Sequence, residues 1–383
     1  LVQGFAEPRA KVEFNFAGGV NMPKIVQCWG ADGRVYKQLV KGRDDLRGDA
    51  VMQQCFGLVN TLLRRDGDAR QRGLCMRTYR VVPIAPTAGV LQWVDKTAPL
   101  TEYLIGHSGG LALLGNAHER YRPLDWSNKK CRHVMEEAHR HVRDGRKHKA
   151  HTLDEYHRCE EHFRPVFHHF FVERWAQPAA WFDRRLAYAS SLAAGSMIGY
   201  VLGLGDRHMS NILIDLRSAE LVHIDLGIAF EAGKLLTTPE TVPFRLTRDL
   251  EDGLGVCGVE GVMRGGAEQT MRVLRANTDA LVTILQVFVR NPLYKWTQDP
   301  TRDRKVPKGQ QQPAPPSSKG GGAGDDTTNQ DAERTLLRIQ QKLEGHVAGG
   351  DTLSVEGQVR RLLDEARDPE HLAYMYEGWA PWL

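Results

Sequence analysis

The 383-residue chain has no Cys-x-x-Cys pair, and its six cysteines (Cys28, Cys55, Cys75, Cys131, Cys159 and Cys257) lie far apart. That spacing argues against a disulfide framework and for reduced thiols in a cytosolic or nuclear compartment. No apolar run approaches the ~20 residues that a membrane span needs. Charge of one sign is also lacking: 51 Lys plus Arg face 47 Asp plus Glu, a net charge of +4. This is too small for a dedicated nucleic-acid-binding domain, whose basic residues would be more numerous and more clustered. There is no internal repeat. The start, Leu1 to Phe5, is neither an initiator methionine nor a signal peptide and reads as the interior of a longer polypeptide. What remains is an ordinary globular composition, 41% hydrophobic and 26% charged, in a chain long enough for two lobes and a sizeable core.

Periodicity divides the chain. Val12–Phe16, Lys24–Cys28 and Val35–Val40 read as strands, with turn signals at Ala17-Gly18-Gly19 and Asp32-Gly33. Asp49–Leu63 places Val51, Met52, Cys55, Phe56, Val59, Leu62 and Leu63 at helical spacing. Thr78–Ile84 and Gly89–Val94 return to strand character, so residues 1–92 predict a small β-rich lobe with one helix. From Leu100 to Leu202 the pattern is helical and polar, with loops at Arg122–Ser127 and Gln177–Ala179. Two short strands follow, Ile212–Asp215 and Leu221–Ile224, and then a helical stretch over Gly266–Val289. Residues 301–330 are rich in Gln, Pro, Ser and Gly and predict a disordered linker. A helix is expected within 331–350 and an amphipathic helix with an aromatic end within 351–383.

Phosphoryl transfer needs a cation on the phosphates, metal ligands bridging them, and an acid–base group at the attacking hydroxyl. Gly205–Asn211 offers Asp206 and Asn211 five positions apart, the interval that protein kinases keep between the catalytic-loop Asp and the metal-binding Asn. The order here is Asp206-Arg207-His208, so the histidine follows the aspartate. Fourteen residues after Asn211, Asp225-Leu226-Gly227 is similar to the metal-binding Asp-Phe-Gly of those enzymes. A carboxylate and an amide oxygen are hard ligands suited to Mg²⁺. Lys41 ends an apolar strand just ahead of a helix, where a lysine can reach a phosphate. Gly18 and Gly19 can cover a triphosphate with backbone N–H groups, though paired glycines between strands also make plain hairpin turns. The stretch His133–His169 holds nine of the fifteen histidines; its spacing fits no compact zinc set and it predicts a solvated helical face. Tyr374, Tyr376, Trp379 and Trp382 predict packing on the rest of the chain rather than insertion into a membrane.

Together, Leu39–Gln54, Gly199–Ile214 and Ser218–Gly261 resemble the phosphatidylinositol 3-kinase-related protein kinases, and Leu353–Leu383 resembles the FATC segment that closes those enzymes. The resemblance implies an α+β, bilobal protein-kinase-like fold: N-lobe 1–92, hinge and mostly helical C-lobe 93–300, linker 301–330, helix 331–350 and FATC 351–383. It implies that Lys41 contacts ATP, that Asp49 positions Lys41, and that Tyr79 and Trp93 line the adenine pocket with Trp93 on the hinge. It also implies that Asp206 takes the substrate proton, that His208 stabilises transferring charge, and that Asn211 and Asp225 hold Mg²⁺ or Mn²⁺. The activation loop would run from Asp225 to about Asp249. Gly48 departs from the family, which usually has Gln there; a glycine early in a helix costs about 1 kcal/mol relative to alanine. The resemblance further implies serine/threonine protein kinase activity at Ser/Thr-Gln sites in DNA damage signalling, cell-cycle checkpoints and telomere maintenance. With it come a nuclear location, a full-length homodimer, and DNA-damage sensor proteins bound through upstream helical repeats. Neither membrane association nor sequence-specific nucleic-acid binding is expected.

Two other readings stand beside this one: a phosphoinositide lipid kinase on the same scaffold, and a pseudokinase that only binds partners. Lys41, Asp206, Asn211 and Asp225 are all present, which favours an active enzyme over the scaffold. Between Asp225 and Pro243 there is one lysine, Lys234, against Glu231 and Glu240. Anionic head groups would be met by more basic residues, so this loop suits a protein substrate.

Overall fold

The computed structural model describes residues 14–16, 22–106, 116–289, 324–346 and 351–383. Gly18, Gly19 and most of the expected linker lie outside the described residues.

The first lobe is a five-stranded antiparallel sheet of order β1-β2-β3-β5-β4. Its strands are β1 (Phe14–Phe16), β2 (Lys24–Trp29), β3 (Val35–Gly42), β4 (Val81–Ala85) and β5 (Ala88–Gln92). The helix Arg47–Arg65 packs against it, burying Met52, Cys55, Phe56, Val59, Leu62 and Leu63. This is the apolar spacing seen in the sequence. The helix begins at Arg47, so Gly48 falls in its first turn, as expected.

The strand expected from Thr78 starts only at Val81. Side chains of the Arg47–Arg65 helix take the backbone groups that a longer strand would have used. Asn60 accepts the Met76 N–H at 2.9 Å and donates to the Met76 carbonyl at 2.8 Å, and Gln53 accepts the Tyr79 N–H at 3.0 Å. A buried backbone group must find a partner, and here the partners come from a helix.

The second lobe is mostly helical. Its axis is the 25-residue helix Pro178–Leu202, nearly all buried from Tyr188 onward. The loop expected at Gln177–Ala179 is shorter than predicted, because Pro178 opens the helix at the position where a missing N–H costs nothing. The helices Val262–Ala276 and Gly324–Glu344 and the C-terminal helix Val355–Arg367 gather around this axis. A small antiparallel sheet of β6 (Thr97–Pro99), β7 (Ile212–Asp215) and β8 (Leu221–His223), in the order β6-β7-β8, stands where the lobes meet. The helix expected within 331–350 is present but begins at Gly324, inside the expected linker, and ends at Glu344.

A cluster of Leu46, Tyr79, Leu91, Leu213 and Val222 joins the two lobes. Leu213 and Val222 face each other across β7 and β8, so the sheet next to the Gly205–Asn211 loop also supplies the floor under the first lobe. Trp379 and Trp382 are buried against the second lobe, with Trp382 donating to Asn128 at 2.9 Å and Tyr156 donating to the Pro381 carbonyl at 3.3 Å. Among the described residues no helix is long and apolar enough to cross a membrane.

Candidate active site

The site is built on two loops that flank β7 and β8. The first follows the Pro178–Leu202 helix and holds Asp206, Arg207, His208 and Asn211; the second follows β8 and holds Asp225. Asp206 (φ 57°) and Asp225 (φ 55°) both lie in the left-handed region. That region is uncommon for a residue with a Cβ and persists where the surroundings impose it.

Arg207 imposes it. Its guanidinium is buried and donates to the Gly205 carbonyl at 2.7 Å, to the Ile224 carbonyl at 2.7 Å and to the Asp225 carbonyl. One planar fork thus ties the two loops together. Burial, the largest influence, lowers the Arg207 pKa, and the carboxylates of Asp206, Asp225 and Glu240 oppose this. The sequence reading gave Arg207 no role. The signal was there, in the arginine between Asp206 and His208, but its partners are main-chain carbonyls and leave no mark in a sequence.

Asn211 is buried and donates its side-chain N–H to the Asp206 carbonyl at 2.9 Å. A carbonyl only accepts, so the Asn211 amide nitrogen is fixed and its oxygen is left to face a cation. The Asp225 side chain is 56% exposed, and its ion-pair partner is Lys41, 3.9 Å away. One amide oxygen and one accessible carboxylate fit a divalent cation whose other ligands are phosphate oxygens and water. The described residues contain no group of three His, Cys, Asp or Glu side chains placed to hold a metal. The histidines of the His133–His169 stretch are mostly exposed or half-buried, and His139 meets the Ala373 carbonyl at 2.9 Å.

Lys41 sits at the end of β3, its side chain 15% exposed, 3.1 Å from Asp44. Burial pulls its pKa down, but Asp225, Asp44 and Asp49 outweigh that and raise it. It is charged at neutral pH. Asp49 acts on Lys41 through its charge rather than through an ion pair. Its carboxylate is buried and accepts the Leu226 N–H at 3.0 Å, next to Asp225. Burial pushes the Asp49 carboxyl up to about 6. Asp49 therefore anchors the Asp225 loop and reaches Lys41 only through its charge.

His208 accepts the Ser210 N–H through Nδ1 at 3.2 Å, so the neutral ring carries its proton on Nε2. Burial lowers its pKa, with Asp206 opposing. Tyr79 lies in the interlobe cluster, and its hydroxyl is buried without a partner. Trp93 follows β5 in the segment that crosses to the second lobe, and its N–H donates to the Lys37 carbonyl at 3.2 Å.

Behind the Gly205–Asn211 loop, the segment after Asp225 packs against the C-terminal helices and leaves a cavity of about 240 Å³ lined in part by Gly205, Glu231, Glu240, Lys342 and Arg361. Glu231 pairs with Lys342 at 2.5 Å and with Lys234 at 2.8 Å. Burial alone would raise the Glu231 pKa, but these lysines bring it down to about 2. Further along, Thr241 donates to the His371 carbonyl at 2.8 Å. Buried Arg245 donates to the carbonyls of Trp379 (2.7 Å) and Ala380 (2.8 Å) and stacks 4.0 Å from the Trp379 ring.

Comparison with known proteins identifies the family and the fold. Residues 35–298 match the family described as phosphatidylinositol 3- and 4-kinase, and residues 352–383 match the FATC domain. The chain is 49% identical to the serine/threonine-protein kinase ATM of Arabidopsis thaliana, over 95% of this chain and 9% of that protein. It is 47% identical to the serine-protein kinase ATM of Sus scrofa, over 97% of this chain and 12% of that protein. With the serine/threonine-protein kinase tel1 of Schizosaccharomyces pombe it shares 44% identity, over 96% and 13% respectively. The solved FAT and kinase domain of CtTel1 superposes with a TM-score of 0.81 at 40% identity, covering 97% of this chain and 23% of that one. The chain thus spans about a tenth of the length of these curated relatives. It belongs to the phosphatidylinositol 3- and 4-kinase family, with a bilobal fold that closes in a FATC domain.

Proposed function

We propose that this chain is the catalytic part of an ATP-dependent serine/threonine protein kinase of the ATM type. The observation that carries the reading is the pair of left-handed aspartates, Asp206 and Asp225, tied together through Arg207, with Lys41 facing Asp225 from the other lobe. ATP would lie between the lobes, bordered by Tyr79 and Trp93. Lys41 offsets charge on its phosphates. A magnesium or manganese ion, held by Asn211 and Asp225, would supply the further positive charge that a transferring phosphoryl group requires.

Asp206 orients the substrate hydroxyl and accepts its proton as the new P–O bond forms and the bond to ADP breaks. His208, neutral and carrying its proton on Nε2, donates toward the oxygens on which charge collects.

A protein substrate is favoured over a phosphoinositide. The single lysine of the loop, Lys234, is already paired with Glu231, which leaves little positive charge for an anionic head group. The relatives are named as serine/threonine or serine kinases. A Ser/Thr-Gln preference, a nuclear role in DNA damage signalling, checkpoints and telomere maintenance, and DNA-damage sensor partners follow from the family resemblance. Homodimerisation of the full-length protein is supported by the solved Tel1 dimers.

The test is a side-by-side assay of the intact protein on a Ser-Gln peptide and on phosphoinositide vesicles. Peptide phosphorylation that disappears in Asp206→Ala, while magnesium-ATP binding persists, is expected. Equal incorporation into lipid would overturn the substrate class, and full turnover by Asp206→Ala would overturn the role of Asp206.

A further inference from the structure

Asp206 is held by a residue that the chemistry of phosphoryl transfer does not itself call for. Glu240 lies 34 positions further along, in the activation segment, yet its Oε1 accepts the Asp206 N–H at 2.7 Å. Its Oε2 is wedged against two glycines. A Cβ on Gly205 would stand 2.6 Å from that oxygen, and one on Gly233 would overlap it. The Glu240 N–H in turn donates to the Gly233 carbonyl at 3.1 Å, closing the segment on itself at this point.

The left-handed backbone at Asp206 is thus fixed from two sides. Asn211, within the catalytic loop, bonds its carbonyl, and Glu240, from outside that loop, bonds its N–H. The groove for Glu240 exists only because positions 205 and 233 carry no side chain.

We propose that Glu240 is a positioning residue through which the activation segment sets the Asp206 backbone. In this reading the catalytic carboxylate stands in place only while that segment is folded against the catalytic loop. The proposal rests on the role given to Asp206 above.

The Glu240 oxygen can accept the Asp206 N–H whether the carboxyl is neutral or ionised, and more strongly when ionised. Burial, the largest influence, pushes the Glu240 carboxyl up to about 7; Asp206 adds to this, while the Asp206 N–H and Arg207 oppose it. A space-filling residue gains nothing from a carboxylate held at that cost. An acceptor for one strained N–H does. Thr241, the next residue, is tied to the FATC segment through the His371 carbonyl, so the position of Glu240 is itself fixed by the C-terminal helices.

The test compares Glu240→Ala and Glu240→Gln with the wild type in the intact protein, reading peptide phosphorylation, magnesium-ATP binding and amide hydrogen exchange over Gly205–Arg207. Glu240→Ala is expected to lower kcat roughly 10- to 100-fold. The KM for ATP should stay within about twofold, as for a group that acts in the transition state only. Exchange of the Asp206 amide should rise. Glu240→Gln, whose amide oxygen can still accept that N–H, should recover most of both kcat and protection. Unchanged exchange at Asp206 in Glu240→Ala would overturn the proposal whatever the activity. So would equal loss of ATP binding and thermal stability in both variants, which would mark a purely structural residue. Turnover by Asp206→Ala would instead overturn the assignment of Asp206 and leave the exchange result standing.

Discussion

Lys41 and Asp225 approach to 3.9 Å across the boundary between the two lobes. The lysine is anchored at the end of a strand, and the aspartate stands on a loop bound to Asp49 and Arg207. The distance between them therefore reports how far the lobes are closed. Lys41→Met is expected to reduce kcat/KM for ATP by at least about 100-fold, as loss of a cation on the transferring phosphates does. The folded state should be little affected. Peptide phosphorylation together with a thermal melt checks this, and unchanged kcat/KM would remove Lys41 from the site.

Arg207→Lys keeps the charge and discards the planar fork. A single ammonium cannot serve the carbonyls of Gly205, Ile224 and Asp225 at their observed positions. We expect kcat to fall roughly 100-fold from misplacement of both aspartates, with nucleotide affinity less affected. If Arg207→Lys turns over like the wild type, the guanidinium does not organise the loops.

Glu231→Gln would leave Lys342, 12% exposed, without its counter-charge. Breaking a buried pair in this way costs roughly 3–5 kcal/mol, readable in denaturant unfolding of the kinase region. The pair also gives a pH dependence with a definite sign. The Glu231 pKa falls from 4.5 to about 2 on folding. Its contribution to stability is therefore complete above about 4.5 and is lost as pH falls toward 2. Unfolding of Glu231→Gln should lack this acid component.

Trp382 is 1% exposed and fills the junction between the tail and the second lobe. Trp382→Ala should destabilise the kinase region by roughly 3–5 kcal/mol through the cavity it leaves, whereas Trp382→Phe, which loses mainly one hydrogen bond to Asn128, should cost about 1–2 kcal/mol. Equal melting of the two variants would contradict the packing described for this end of the chain.

Much of this was legible in the sequence, for physical reasons that differ from element to element. The Arg47–Arg65 helix shows a clear apolar stripe, and Asp206, Asn211 and Asp225 stand at an interval that the chemistry dictates. The late start of β4 could not be read, because Asn60 and Gln53 look like any polar helix residues until their backbone partners are seen. The pairing of Asp49 with Lys41 comes from the family resemblance and not from any local pattern in the sequence. The burial that instead turns Asp49 toward the Leu226 N–H is a tertiary fact. Arg207 and Glu240 were missed for one shared reason. Both act on main-chain groups, and a main-chain partner has no identity in a sequence.

Arg245 is a buried cation whose hydrogen-bond acceptors, the carbonyls of Trp379 and Ala380, lie 134 and 135 positions later in the chain. On the ribosome, at about 5–20 residues per second, those acceptors emerge on the order of 10 s after the arginine does. Throughout that interval the nascent lobe must keep the guanidinium in water or bury it without these partners. The second lobe therefore gains these partners for Arg245 only once the segment around Trp379 has been made.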